Sequence, residues 1–159
     1  MQPKIIKREA MLIAGVAGSG DETAKAWDAF MKIRKMHPLE NQAGEEGYEI
    51  RIYDIEGTGK VHVGVPVKDK EVPAEYKIFS LPAATYAGFE IYPAKGYGSS
   101  NADMSKWLEE NQNRYREALL NGSHYAIEVY DKRYKGDKDP KSVVGILVAI
   151  EEVEKGKKK

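Results

Sequence analysis

The chain carries one stretch twice, and a duplicated chain builds its core from two like units. Tyr48, Ile50, Tyr53 and Asp54 reappear at the same spacing as Tyr125, Ile127, Tyr130 and Asp131, and Ile52 is matched by Val129. A second set of matches precedes each block in the same order. Lys4 and Ile5 correspond to Lys77 and Ile78, Ala10 to Ala83, Ala14 to Ala87 and Gly15 to Gly88. The two sets differ in separation by about one helical turn, which a longer helix in the second half would absorb. A repeated supersecondary unit cannot bury its apolar face alone, so the copies must pack on each other.

Each half reads as strand, helix, strand, strand. The first strand spans 4–16 in one half and 76–92 in the other, and each is followed by a Gly- and Ser-rich turn, at 18–21 and 96–100. A helix over 22–36 stops before Pro38, because proline disfavours helix in the residue ahead of it. A longer helix over 103–120 ends at Asn121 and Gly122, residues that suit a helix C-terminus. Runs of period-two alternation then predict strands over 48–55, 61–67, 125–130 and 142–150. The expected fold class is α+β: two pseudo-symmetric β-α-β-β repeats with antiparallel sheets, helices outside, and a ligand cleft between the halves. Repeat one covers about 3–68, a connector 69–75, and repeat two about 76–154. All of 1–155 forms one domain, and 155–159 is a basic, disordered tail.

Alternation also assigns faces. Val61, Val63, Val65 and Val67 are expected under a helix, as are Tyr48, Ile50 and Ile52. Glu49, Arg51 and Tyr53 then point the other way, with His62, Tyr86, Glu90, Glu128 and Tyr130 on the same non-helix faces. That set mixes aromatic, small and acidic residues. It fits a solvated sheet face, and it fits a cleft for a flat, polar or cationic aromatic ligand.

Composition removes several function classes. The 25 basic and 25 acidic residues cancel, which argues against a nucleic-acid binder. There is no Cys, which leans toward a reducing cytoplasm. No stretch approaches the roughly 20 apolar residues of a membrane span, so no membrane partner is expected. His37, His62 and His124 lack metal-ligand spacing, and no cofactor motif is present. The 96–100 segment has no phosphate-loop lysine and reads as a mobile loop. No nucleophile elbow of the Gly-x-Ser-x-Gly kind occurs.

In the order of these features the chain resembles the GyrI-like small-molecule-binding domains. The features are the duplicated plan, the strand from Val63 to Val67 through Gly64 and Pro66, Leu81-Pro82-Ala83, Ala87-Gly88-Phe89, and the Glu128 strand. The resemblance covers about residues 3–154. It implies binding of bulky, often cationic aromatic compounds between the halves, with Glu128 as the matching ligand contact. It also implies two alternatives: hydrolysis of strained, cyclopropane-type electrophiles, and a protein partner such as gyrase. A carboxylate between Ile127 and Val129 is costly to bury without a cation or donors, and Arg51 in the other half is a candidate partner for it. The candidate ligand-binding residues are thus Glu128, Tyr53, Tyr86, Glu90, Trp107, Tyr130, His62 and Arg51. Trp107 would cap the cleft from its helix. If the protein is an enzyme, Glu128, Tyr86 and Tyr130 are the candidate catalytic groups.

Overall fold

The structure is a computed structural model that describes residues 2–54 and 57–153. The expected tail at 155–159 lies outside the described residues, as does Ile55, the last residue of the expected 48–55 strand. Chain order is β1 (Lys4–Arg8), β2 (Met11–Ser19), α1 (Thr23–Met36), β3 (Gly47–Ile52), β4 (Lys60–Val67), β5 (Lys77–Leu81) and β6 (Ala84–Ile91). Then follow α2 (Tyr97–Glu110), β7 (Tyr115–Glu117), β8 (Tyr125–Tyr130) and β9 (Val144–Glu152). The protein is α+β, with one open antiparallel sheet in the order β1-β6-β9-β8-β3-β4-β2-β5, and β7 pairs off β9.

Each strand expected to open a half is in fact two strands. The chain breaks at Glu9 and Ala10 in one half and at Pro82 and Ala83 in the other. Proline has no N–H to give a ladder, so Pro82 ends one pairing and lets the next begin with a new neighbour. The short strands exchange partners across the molecule. Lys4 on β1 sits opposite Gly88 on β6, and Lys77 on β5 sits opposite Gly15 on β2. At the centre of the sheet the duplicated blocks pair with each other. Ile50 lies opposite Ile127 and Glu49 opposite Glu128.

Both helices cover the same face of the sheet. Phe30 and Ala26 of α1 pack on Ala14, Val61, Val63 and Val65. Met104 and Trp107 of α2 pack on Ala87, Phe89, Ile91, Ile146 and Val148. The central strands β3 and β8 lie between the two helix contacts. The opposite, helix-free face is also buried, in one cluster that includes Ile13, Tyr48, Ile50, Leu81, Tyr86, Tyr125, Ile127 and Leu147. Ile6, Met11 and Phe79, from the terminal strands and the second strand, pack against it.

This arrangement corrects the face assignment made from alternation. Val61 to Val67 do lie on the α1 side, but Tyr48, Ile50 and Ile52 join the helix-free cluster, and Glu49 shares the helix side with its partner Val63. Alternation marks the better-buried face of a strand, and that face need not be the one under a helix. The second helix also differs from expectation. It begins at Tyr97, so the supposed loop at 96–100 supplies its cap, Gly96 at φ +86°, and its first turn. It ends at Asn111, whose Nδ2 donates to the Trp107 carbonyl at 2.8 Å. Asn121 and Gly122, at φ +50° and +82°, instead form a tight turn closed by Leu120 and Ser123. Two adjacent positive φ angles are the signature of a hairpin turn, and the same Asn-Gly pair serves either role.

Candidate functional site

Between the two helices the sheet exposes a strip of polar side chains from β3 and β8. Their antiparallel register sets Glu49 directly opposite Glu128, at the close Cβ spacing of cross-strand neighbours. Glu49 is 4% exposed. Its Oε1 accepts from Trp27 Nε1 at 2.9 Å and its Oε2 from Arg51 Nη2 at 2.9 Å. Glu128 accepts from the Tyr130 hydroxyl at 2.9 Å, and Arg51 Nε stands 3.6 Å from its other oxygen. Arg51 is held by the chain that leads into α1: Nη1 donates to the Gly20 carbonyl at 2.9 Å and Nη2 to Thr23 Oγ1 at 2.8 Å.

Two carboxylates therefore face one guanidinium, and they cannot both ionise cheaply. Burial pushes Glu128 up to about 8, helped by its hydrogen bond to Glu49 and by the Glu49 charge, while Tyr130 and Arg51 pull the other way. Burial also works to raise Glu49. Its hydrogen bonds with Glu128 and Trp27 and the adjacent Arg51 outweigh that effect and leave it below the ordinary carboxylate value. At neutral pH the pair shares one proton, with Glu128 the member pushed up and Glu49 the member pulled down. Burial and both carboxylates push the Tyr130 hydroxyl upward, so it remains a donor. Burial, followed by the charges of Asp137 and Glu128, pushes Tyr97 up to about 12.

The strip floors a groove of about 810 Å³. Glu128, Ala126, Ile146 and Val148 lie along its base, and Tyr97, Asn101, Met104 and Leu108 of α2 form one wall. Tyr53, Arg51 and Tyr130 also line it, as do Glu117 and His124, which pair at 3.0 Å. Among the described residues no group of three or more His, Cys, Asp or Glu could hold a metal ion.

Of the residues singled out from sequence, the groove brings together Glu128, Tyr130, Tyr53 and Arg51. The other four lie elsewhere. Tyr86 is 2% exposed in the helix-free cluster, its hydroxyl 3.2 Å from that of Tyr125. His62 is buried on that same face against Phe79, and burial lowers it to about 4, so it stays neutral. Glu90 bonds Arg133 at the surface at 2.9 Å. Trp107 does not cap the groove; it is core, stacked on Tyr115 and edge-on to Phe89. The candidate residues read from sequence omit Trp27 and Tyr97, and they omit Glu49 although alternation puts it on the cleft face. Pairing the duplicated blocks antiparallel would have set Glu49 opposite Glu128, but nothing in the sequence marks Trp27 as its donor.

A family model described as the GyrI-like small molecule binding domain matches residues 1–151. The chain belongs to that family. Solved structures share this GyrI-like fold at low identity. SAV2435 bound to tetraphenylphosphonium is 14% identical over 95% of this chain and 94% of that one, with a TM-score of 0.72. The EcmrR C-terminal domain is 12% identical over 96% and 98%, with a TM-score of 0.68. A hydrolase from Listeria innocua is 14% identical over 94% and 92%, with a TM-score of 0.51. No curated protein matches this GyrI-like chain. Among the described residues no helix is long and apolar enough to cross a membrane.

Proposed function

We propose that the groove over β3 and β8 binds bulky aromatic cations, with the Glu49 and Glu128 pair as its anionic floor and Tyr53, Tyr97 and Tyr130 as its aromatic walls. One observation carries this reading: two carboxylates in cross-strand register face one guanidinium at the base of an aromatic groove. A cationic ligand takes the place of the proton that the pair shares and supplies the second positive charge itself, and the ring faces add cation–π attraction. The bound tetraphenylphosphonium in SAV2435 supports the same ligand class. In this role the partner is a small molecule met in the cytoplasm, and neither nucleic acid nor a membrane takes part.

The test compares tetraphenylphosphonium with triphenylphosphine oxide, a neutral aromatic compound, by calorimetric titration. Micromolar binding, about −8 kcal/mol, is expected for the cation. Glu128→Gln keeps the shape and removes the charge, so it should weaken the cation far more than the neutral compound. Equal losses would mean that Glu128 acts through shape or folding and would sink the electrostatic reading.

A second reading rests on the proton that Glu128 holds near neutral pH beside the Tyr130 hydroxyl. Such a carboxyl can serve as a general acid in hydrolysis of a strained electrophile. Product formed in excess over protein, and lost in Glu128→Gln, supports it. Unchanged compound after long incubation, checked by mass spectrometry, rejects it.

A further inference from the structure

A second groove runs along α1, and the first site makes no use of its α1 wall. Its volume is about 580 Å³, within the roughly 300–1,000 Å³ of small-molecule sites. One face of α1 forms the near wall, where Ala24, Trp27, Asp28, Met31 and Arg34 recur at three- and four-residue steps. Gly47 and Val65 lie beneath, and Tyr130 and Tyr134 stand opposite. Glu49, Tyr97, Tyr130 and Asp137 line both grooves, so the two meet at Glu49, while Glu128 lines the first alone.

The second groove is aromatic and acidic. Trp27 stands edge-on to Phe30 at 6.0 Å and to Tyr130 at 5.9 Å, and Tyr130 stands edge-on to Tyr134 at 4.9 Å. A Cβ at Gly47 would come within 3.0 Å of the Trp27 ring, so a bare backbone there keeps the floor open. Asp28, Glu45, Glu49 and Asp137 supply four carboxylates on the lining. Against them stand Arg51 behind Glu49, and Arg34, which is engaged by Gln42 at 3.2 Å and lies on the Phe30 ring. Met31 is 56% exposed on the helix wall. A thioether in that position is an adaptable contact for an apolar ring.

We propose that the α1 groove is a second binding site, for a flat aromatic cation, placed on the Glu49 side of the carboxylate pair while the first site lies on the Glu128 side. Charge complementarity selects a cation, and the converging ring edges select an aromatic one. The two sites share the Glu49 and Asp137 carboxylates, so a cation in one lowers the attraction felt in the other.

The test is equilibrium dialysis of ethidium against the full chain. Two bound dyes per chain are expected at saturation. Met31→Arg puts a cation on the exposed wall of the second groove and should weaken that site by roughly tenfold or more, as one unit charge near another does. Met31→Gln, the neutral control, should keep both dyes. Two equivalents that survive Met31→Arg unchanged overturn the second site. A single equivalent, removed by Glu128→Gln and spared by Met31→Arg, also overturns it and leaves the first reading intact. A single equivalent with the reverse response keeps the second site and overturns the first.

Discussion

Binding of a cation to the Glu128 groove should release a proton, and its strength should climb with pH. Glu128 titrates near 8 in the free protein because it is buried and lies across from Glu49. A cation needs the ionised form. With that value, about one tenth of the molecules are ionised at pH 7 and about nine tenths at pH 9. Apparent affinity scales with the competent fraction, so tetraphenylphosphonium should bind about tenfold more tightly at pH 9 than at pH 7. Between pH 6 and pH 7 the affinity should again change by about tenfold, and above pH 9 it should level off. The sign follows from linkage: the ligand favours the deprotonated state, so it expels the proton and gains as protons become scarce. Calorimetry at pH 7 in buffers of different ionisation enthalpy reads the number released, expected at about 0.9 per ligand. Glu49→Gln removes the like charge and should flatten the profile across this range. An affinity that stays constant from pH 6 to pH 9, or a proton taken up on binding, would refute the shared-proton account.

The same titration bears on stability. A carboxyl whose folded value is raised supports the fold while protonated and loses that support as pH rises from its unfolded value toward 8; Glu128→Gln should therefore raise the thermal midpoint more at pH 9 than at pH 5. Tyr86→Phe should leave ligand affinity unchanged, because Tyr86 sits in the helix-free cluster, and should cost about 0.5–1.5 kcal/mol for the lost Tyr125 contact in urea unfolding. Tyr130→Phe should do the reverse in one respect: by removing a donor to Glu128 it should raise the midpoint of the binding pH profile. Trp27→Phe leaves Glu49 one donor short and should cost about 1–3 kcal/mol in the same unfolding assay.

The parts of this molecule written in local pattern were legible in the sequence. The Tyr48 and Tyr125 blocks announced the central strands, and α1 lies within a residue of its expected bounds. Of the site, the Glu128, Tyr130, Tyr53 and Arg51 quartet came from alternation together with the family resemblance. What failed were the choices that local pattern leaves open. The face of a strand that meets a helix is not set by alternation when both faces are buried, so alternation alone assigns Tyr48 and Ile50 to a helix they do not touch. The expectation of a helix over 103–120 came from reading Asn121 and Gly122 as its end, when they turn a hairpin. Trp27 illustrates the remaining gap: its bond to Glu49 joins residues from different elements, and spacing along the chain carries no trace of it.

The exchanged edge strands carry a consequence for synthesis. Everything that β5 pairs with precedes it in the chain, so the β3-β4-β2-β5 set has all its members once Leu81 is made. β1 is made before the other strands of this sheet, yet its pairing partner β6 ends only at Ile91. Throughout that interval the leading strand is an open edge, the kind of surface that recruits neighbouring chains. It carries Lys4, Lys7 and Arg8 among its five residues, and clustered positive charge on a waiting strand opposes its capture by another nascent copy of itself.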